Sequence, residues 1–167
     1  DQKGLSKAYI LREVEDSLRR LQTDYIDLYQ AHMDDPNTPL EETLETFALL
    51  VKQGKARVIG ASNYGAERLL QALEVSKKRV YPSYQSLQPW YNLYDRAEYE
   101  TKLEPLGREK GLGVISYFSL ASGFLTGKYR SDKDLSKSAR GPRSIGKYLN
   151  ERGFRILDAL ERVAKQR

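Results

Sequence analysis

The sequence has 167 residues, no cysteine and a formal net charge of +5, a length that suits a single domain with a buried core. The absence of cysteine excludes disulfide bonds, thiolate metal sites and thiol nucleophiles. No segment approaches the ~20 apolar residues of a membrane span, and no basic run is interleaved with aromatic residues, as a nucleic-acid platform requires. We therefore expect a cytoplasmic protein with no metal site that binds neither membranes nor nucleic acid.

The first half of the chain alternates between helix and strand patterns. Ser6 is placed to cap a first helix, and a β-prone run follows at residues 25–32. The apolar stripe of that helix comprises Ile10, Val14, Leu18 and Leu21. These spacings of three and four residues predict one buried helical face.

The next helix has the clearest start signal in the sequence. Thr38 at the cap, Pro39 at the first helical position and Glu41 three residues after the cap predict a capping box. Gly54 is a candidate left-handed stop. The buried stripe is predicted to consist of Leu40, Leu44, Phe47 and Val51.

The second half continues the alternation up to a final amphipathic helix. Pro105 predicts that the helix at residues 99–110 forms two pieces or a kink, and the polar segment 131–144 predicts a mobile loop. Strands are predicted at residues 56–61, 80–88 and 113–118, a turn at 62–65, a helix through Leu69, Leu70 and Leu73, and a last helix with Phe154, Leu157, Leu160 and Ala164 on one side.

Short apolar strands that alternate with amphipathic helices predict an α/β fold with a parallel sheet. An open doubly wound sheet and a (β/α) barrel compete, and no G-x-G-x-x-G motif follows a strand. Polar residues instead follow the predicted strand ends at His32, Ser62-Asn63, Gln88 and from Tyr117 onward, where a barrel has its active site. A whole barrel needs about 250 residues. We therefore predict a single partial (β/α)8 TIM barrel domain over residues 1–167, with about four parallel strands and five helices, and a mobile cofactor-side loop at 126–149.

The residues at these strand ends resemble the aldo-keto reductases in family order along nearly the whole chain. The matching segments are residues 4–6, 17–21, 24–29 running into His32, 54–63 (GKARVIGASN), 88–93 (QPWYNL) and 120–129 (LASGFLTGKY). The resemblance implies an NADPH-dependent reductase of aldehyde or ketone carbonyls, with a small-molecule carbonyl compound as its partner. In that family a Tyr protonates the carbonyl oxygen, a Lys and an Asp tune the Tyr, and a His helps to orient the substrate.

Of these four catalytic positions, the resemblance places only the histidine in this chain, at His32, the sole histidine. The Tyr, Lys and Asp positions would precede residue 1, and the family's clamp on the adenosine phosphate would follow Arg167. We therefore expect the 167-residue chain to be an incomplete portion of its parent reductase and inactive alone. A histidine at a strand end without this context is more often structural.

The resemblance also assigns the cofactor contacts. Ser62, Asn63 and Gln88 match positions that hydrogen-bond the nicotinamide carboxamide, which offers both a donor and an acceptor. Tyr117 matches the aromatic residue that stacks on the nicotinamide ring, and Lys128 matches a cation that pairs with the pyrophosphate. The loop whose amides meet the pyrophosphate corresponds to Phe118, Ser119, Leu120, Ala121 and Ser122. Turn chemistry, core packing and surface solvation are the competing explanations for these residues.

Two non-enzymatic alternatives remain open at this point. Channel-associated β-subunits share this fold and bind the cofactor, but that branch has Asn at the His position and Arg after the Ser, so His32 and Asn63 favour an enzyme. A half barrel would expose two open sheet edges, which proteins normally cover or pair. If the chain exists alone, we expect it to self-associate through these edges.

Overall fold

The computed structural model describes residues 3–138 and 141–166. The chain divides into two compact units. The first unit comprises Asp1–Pro89 and Glu100–Ile115, and the second comprises Trp90–Tyr99 and Ser116–Arg167. The single domain predicted over residues 1–167 stays a prediction.

The described part of the first unit contains a four-stranded parallel sheet with strands in the order β1-β2-β3-β4. The strands are β1 Ile26–Ala31, β2 Ala56–Ser62, β3 Tyr84–Gln88 and β4 Gly113–Val114. Because spatial order follows chain order, each crossover advances in one direction, as in a (β/α) barrel. The predicted partial α/β fold with four parallel strands is confirmed.

Helices connect these strands. They are α1 Lys7–Leu21, α2 Leu40–Lys52, α3 Ala66–Arg79 and, after a π-helical segment at Tyr99–Leu103, α4 Glu104–Lys110. Pro105 lies in the first turn of α4, where its missing N–H leaves no intrahelical bond unmade. The predicted division of residues 99–110 into two pieces is therefore confirmed.

The two predicted helix starts have different outcomes. Ser6 caps α1, since the Tyr9 N–H donates to its hydroxyl oxygen at 3.4 Å. The capping box at Thr38 is wrong, because the Thr38 hydroxyl donates to Asp35 Oδ2 at 2.7 Å and no side chain caps α2. Helix α2 begins one residue later than predicted, at Leu40 with Pro39 as its N-cap, so Thr38 lies outside the position that a capping box requires. Gly54, with φ of 73°, is the left-handed stop that was predicted.

Two strands are shorter than predicted. Helix α3 continues to Arg79 and ends with Val80 in the left-handed region, so β3 begins at Tyr84 rather than at residue 80. Strand β4 covers only Gly113–Val114. Tyr117 instead forms an isolated bridge with Trp90 inside the second unit.

The core of the first unit lies between the sheet and its helices. Phe47 is 1% exposed and meets Tyr29 and Tyr84 edge-on, with ring centroids 5.9 and 6.2 Å away. Edge-to-face pairs of this kind add stability beyond the area that they bury. Leu21, predicted on the buried stripe of α1, is 63% exposed, because it is the last residue of the helix.

The described part of the second unit consists of short helical segments around its own core. They are 3₁₀ segments at Ala121–Thr126, Asp132–Lys137 and Gly146–Tyr148, the turn α5 Gly141–Ser144, and the long helix α6 Glu151–Lys165. The core residues are Ala121, Phe124, Tyr129, Ile145, Tyr148 and Leu157.

The segment 131–144, predicted as a loop, is largely helical where the structure describes it. The Asp134 carboxylate accepts from the backbone N–H and the hydroxyl of Ser131 at 2.9 and 3.1 Å, a capping box that starts the segment Asp132–Lys137. The predicted loop also includes Ala139 and Arg140, which lie outside the described residues. The mobility of residues 126–149 stays a prediction. No helix in the described part of the chain is long and apolar enough to cross a membrane.

Candidate functional site

Polar side chains lie at the carboxyl ends of three adjacent strands in the first unit. His32 follows β1, Ser62 ends β2 and Gln88 ends β3. The parallel register pairs Ala31 with Ala61 and Ser62 with Gln88. Since parallel strands point the same way, these ends share one edge of the sheet, which is where barrel enzymes carry their chemistry.

Hydrogen bonds join the four candidate residues of this edge into one chain. Asn63 Nδ2 donates to the His32 carbonyl oxygen at 2.8 Å and to Ser62 Oγ at 3.1 Å. The Ser62 hydroxyl in turn donates to the Gln88 carbonyl oxygen at 2.9 Å. Ser62 is 2% exposed, so its only route to a ligand is through the shared edge. The structure thus brings together the residues that the sequence predicted for the carboxamide end of the site.

Backbone conformation supports this chain. Asn63 has φ of 56°, a left-handed conformation that asparagine adopts more readily than most residues. It reverses the chain after β2 while its amide remains against His32. An alanine at this position would lose both the bonds and the conformational tolerance.

A second polar pair lies one layer deeper in the sheet, and the sequence analysis missed it. The Ser86 hydroxyl on β3 donates to Gln30 Oε1 on β1 at 3.1 Å, across Gly60 of the intervening strand. A Cβ on Gly60 would lie 2.2 Å from Ser86 Oγ. A glycine inside a strand signals such a close approach, so Gly60 was the available clue.

The loop after His32 is fixed by an ion pair that the sequence patterns did not reveal. Arg68 Nε on α3 lies 3.1 Å from both Asp34 carboxylate oxygens. The neighbouring Asp35 accepts from the Thr38 hydroxyl and from the Leu5 backbone N–H at 3.0 Å. These two bonds, led by the one from Thr38, lower the pKa of Asp35. The backbone that carries His32 is therefore held from two sides.

A cavity of about 750 Å³ in the first unit adjoins this edge, and His32, Met33, Gln30 and Tyr29 are among its lining residues. Burial, followed by the charge of Glu13, raises the pKa of Tyr29 to about 12. A phenol with so high a pKa stays protonated near neutral pH.

The candidate aromatic residue Tyr117 belongs to a three-ring group in the second unit. Its ring centroid lies 5.8 Å from that of Trp90 and 5.3 Å from that of Phe118, and the rings of Trp90 and Phe118 are 4.9 Å apart. The Tyr91 N–H donates to the Tyr117 carbonyl oxygen at 3.3 Å. Tyr117 is partly buried. Its ring packs against those of Trp90 and Phe118, and its backbone is held by the hydrogen bond from Tyr91.

The candidate pyrophosphate loop, residues 118–122, has an unusual backbone. Phe118, Ala121 and Ser122 have φ of 55°, 49° and 57°, and the Ala121 N–H closes a turn onto the Phe118 carbonyl oxygen at 2.7 Å. The Ser119 hydroxyl pairs with that of Ser116 at 3.1 Å. Within the described residues, the backbone N–H groups of Ser119 and Leu120 have no acceptor.

Lys128, the last candidate, is exposed. Its Nζ lies 5.1 Å from the centroid of the Tyr129 ring, and a Cβ on Gly123 would lie 3.6 Å from it. No carboxylate pairs with Lys128 in the part of the chain that the structure describes. The side chain therefore lies along the glycine turn of the same loop with its charge available.

A parallel sheet of sequential strands, with polar side chains linked along its carboxyl edge, defines this protein as one of the (β/α) barrel class. The family model for the aldo/keto reductases matches residues 1–167. The chain belongs to the aldo/keto reductase family.

Several curated proteins are similar to the chain. It is 43% identical to the aldo-keto reductase YhdN of Bacillus subtilis, over 74% of this chain and 35% of that protein. It is 34% identical to L-glyceraldehyde 3-phosphate reductase of Escherichia coli K12, over 98% of this chain and 49% of that protein. A probable voltage-gated potassium channel subunit beta of Oryza sativa is 37% identical over 76% of this chain and 39% of its own length. The chain spans about half or less of the length of these relatives.

Proposed function

We propose that the protein carrying this sequence is an NADPH-dependent oxidoreductase that reduces aldehyde or ketone carbonyls. In this proposal His32 orients the substrate, and Ser62, Asn63 and Gln88 bind the nicotinamide carboxamide. Family membership supports an oxidoreductase in general terms. The carbonyl substrate and the preference for NADPH are proposed on the family resemblance.

The observation that carries the proposal is the hydrogen-bond chain from His32 through Asn63 and Ser62 to Gln88. It fixes the backbone at His32 and at Gln88 and the side chains of Asn63 and Ser62 relative to one another. Placement of this kind is worth much in catalysis, because reacting groups held in position need not lose their freedom during the reaction.

The donors and acceptors at this edge fit a carboxamide. The Ser62 hydroxyl already gives its proton to the Gln88 carbonyl oxygen, so toward a ligand it can only accept a hydrogen bond. The Gln88 side-chain amide is partly exposed and has no partner within the described residues, so it can donate as well as accept. Together these residues match a group that offers one N–H₂ and one carbonyl oxygen.

A bound nicotinamide would supply the hydride. His32 is exposed on the substrate side, with its backbone held by Asn63 and its following loop held by the ion pair between Arg68 and Asp34. The imidazole can then donate a hydrogen bond to a carbonyl oxygen and stabilise the negative charge that grows there.

The remaining predicted cofactor contacts belong to residues of the second unit: Tyr117 for the nicotinamide ring, and residues 118–122 with Lys128 for the pyrophosphate. Tyr117 presents its ring, the N–H groups of Ser119 and Leu120 can donate to phosphate oxygens, and Lys128 can pair with their charge. Within the proposal, Phe118, Ala121 and Ser122 supply the left-handed backbone that shapes this loop. Each of these roles remains part of the proposal.

The proposal is tested with the protein that carries this sequence. NADPH oxidation is followed by absorbance with 4-nitrobenzaldehyde, and the cofactor Kd is measured by quenching of tryptophan fluorescence. The variant His32→Gln should lower kcat/KM about 100-fold, because the glutamine amide presents its N–H from a different position than the imidazole and stabilises the developing oxyanion less, and leave the Kd for NADPH unchanged. Asn63→Ala should instead raise that Kd.

Met33→Leu is a matched control, because it changes an exposed neighbour of His32 without altering polarity. Equal activity of His32→Gln and the unsubstituted protein would refute the role of His32. Absence of both NADPH binding and carbonyl reduction would refute the proposed function as a whole.

A non-catalytic regulatory subunit is the second candidate, favoured by the 37% identity to the rice channel subunit. The two candidates differ in one measurable respect. Binding of NADPH without oxidation by any aldehyde or ketone, unchanged by His32→Gln, would favour the subunit. Carbonyl-dependent oxidation that requires His32 would favour the reductase.

For the 167-residue polypeptide expressed by itself we propose two further properties. It reduces no carbonyl, because the family's proton-donating tyrosine has no counterpart in it, and NADPH oxidation with 4-nitrobenzaldehyde would overturn this. It also self-associates, because β1 and β4 end the sheet and open edges pair readily. A strictly monomeric mass by light scattering would contradict self-association.

A further inference from the structure

One carboxylate oxygen in the second unit collects four hydrogen bonds. Asp95 Oδ2 accepts from Trp90 Nε1 at 3.1 Å and from Asn92 Nδ2 at 3.1 Å. It also accepts from Lys147 Nζ at 3.0 Å and from the Tyr148 hydroxyl at 2.9 Å. None of the candidate cofactor residues belongs to this group, which we call the Asp95 hub, although Trp90 and Asn92 lie in the segment 88–93 that resembles the family.

The Trp90 bond connects the hub to the start of the candidate cofactor segment. Trp90 forms a parallel bridge with Tyr117, and its ring contacts those of Tyr117 and Phe118 at 5.8 and 4.9 Å between centroids. The Lys147 ammonium lies 4.5 Å from the centroid of the Trp90 ring, a cation–π distance. The indole is therefore held by its edge and by its face.

The Tyr148 bond connects the hub to the end of the same segment. The Tyr148 ring stacks on Phe124 with centroids 5.3 Å apart and an interplanar angle of 18°, and neither residue is exposed. Gly153 backs this pair, because a Cβ there would lie 2.0 Å from the Tyr148 carbonyl oxygen and 3.0 Å from Phe124 Cζ. Phe124 is thus fixed between the hub and helix α6.

The charges within the hub favour its bonded form. Partial burial opposes ionisation of Asp95, but the hydrogen bonds from Lys147, Tyr148 and Asn92 outweigh it and lower the pKa of the carboxyl group. Burial, and then the bond to Asp95, raise the pKa of Tyr148. Near neutral pH the Asp95 carboxyl group is therefore charged and the Tyr148 phenol is protonated. The hydrogen bond from Tyr148 to Asp95 requires both of these states.

We infer that Asp95 is a positioning residue that fixes both ends of the segment Tyr117–Phe124 and thereby holds its aromatic ring and backbone amides in the geometry that binds a dinucleotide cofactor. The inference rests on the proposed function, since that proposal assigns the segment to the cofactor. Asp95 acts through Trp90 at one end and through Tyr148 at the other. It is not expected to touch the cofactor itself.

The test compares Asp95→Asn with the unsubstituted protein. The substitution keeps the shape and removes the charge, and loss of charged hydrogen bonds should raise the Kd for NADPH about tenfold. Amide hydrogen exchange should become faster in residues 117–124. The indole N–H resonance of Trp90 in an NMR spectrum should shift and exchange faster, because Trp90 loses a charged acceptor. Asp132→Asn, an exposed carboxylate of the same unit, is the matched control and should change none of these.

Tyr148→Phe is the second variant, in case Asp95→Asn does not fold. It removes only the hydroxyl, so it should raise the Kd by a smaller factor and leave the indole resonance in place. Equal Kd values and exchange rates for the unsubstituted protein and both variants would overturn the inference while leaving the proposed function intact. If the unsubstituted protein bound no NADPH, the proposed function would fail first and this role of Asp95 with it.

Discussion

The two units hold their candidate residues by different means. In the first unit, His32, Ser62 and Gln88 follow three strands whose register already brings them to one edge, and short hydrogen bonds complete the arrangement. In the second unit, Tyr117 and the loop 118–122 follow no long strand. Their position depends on side chains from distant segments, above all on Asp95. Backbone pairing therefore organises the candidate residues of the first unit, and side-chain bonding organises those of the second.

This difference has a consequence for substitutions. A ladder of parallel strands distributes its stability over many backbone bonds, so the loss of one side-chain bond is absorbed locally. A region of short helical segments has few backbone bonds between segments, so individual side-chain contacts decide its order. We expect the second unit to be the more sensitive of the two.

The largest expected effect comes from Gly153→Ala in the second unit. The new Cβ would lie 2.0 Å from the Tyr148 carbonyl oxygen. Because this oxygen belongs to the backbone, it cannot move aside as easily as a flexible side chain. We expect a loss of about 3 kcal/mol in the free energy of unfolding, measured by denaturant titration of Trp90 fluorescence. Gly107→Ala in α4 is the control, because no atom lies within 4 Å of its added Cβ. It should stabilise by roughly 0.5–1 kcal/mol through helix propensity. Equal changes in the free energy of unfolding for Gly153→Ala and Gly107→Ala would contradict the expected difference.

Ser62→Ala should cost about 1–3 kcal/mol, because it leaves a Gln88 carbonyl oxygen and an Asn63 N–H without their partner. The measurement is the free energy of unfolding, with the Kd for NADPH determined in parallel. Ser136→Ala, at an exposed hydroxyl of the second unit, should stay within about 0.5 kcal/mol of the unsubstituted protein. A neutral Ser62→Ala would show that the ladder alone maintains the edge.

Low pH should decrease the stability of each unit through the protonation of one carboxylate. The pKa values of Asp35 and Asp95 are lowered in the folded protein, so each group contributes stability above its unfolded pKa. That contribution is lost as the pH falls below about 4 and through the folded values. Asp35→Asn and Asp95→Asn should each flatten the acid limb of the stability profile, measured by hydrogen exchange resolved for the two units. An unchanged acid limb in both variants would rule these groups out as its source.

The smallest expected effect is an increase in the free energy of unfolding on Val80→Gly in the first unit. Val80 has φ of 59° and is 90% exposed, so a β-branched residue bears left-handed strain without burying surface. Removing a strain of about 1–2 kcal/mol, partly offset by the greater freedom of unfolded glycine, should raise stability by roughly 0.5–1 kcal/mol. Thermal unfolding would measure it, and a lower Tm than that of the unsubstituted protein would count against the strain.

The sequence predicted the features that depend on local patterns and missed those that depend on the folded chain. The order of strands and helices and the break at Pro105 were predictable, because hydrophobic periodicity and proline act locally. Ser62, Asn63 and Gln88 could be placed together because parallel strands share an edge. The cap at Thr38 was mispredicted, because the competing acceptor Asp35 becomes visible only when the loop is folded.

The sequence by itself determined the α/β class, the parallel sheet and the polar edge. Hydrophobic periodicity, the polar residues at strand ends and the family motifs can all be identified from the residues in chain order. Only the tertiary structure decided that Asp95 bonds Trp90, Lys147 and Tyr148, that Arg68 pairs with Asp34, and that Gly60 separates Gln30 from Ser86. These contacts join residues 34 to 56 positions apart, except for the local bond to Trp90. No periodicity predicts them, because each depends on how separate elements pack.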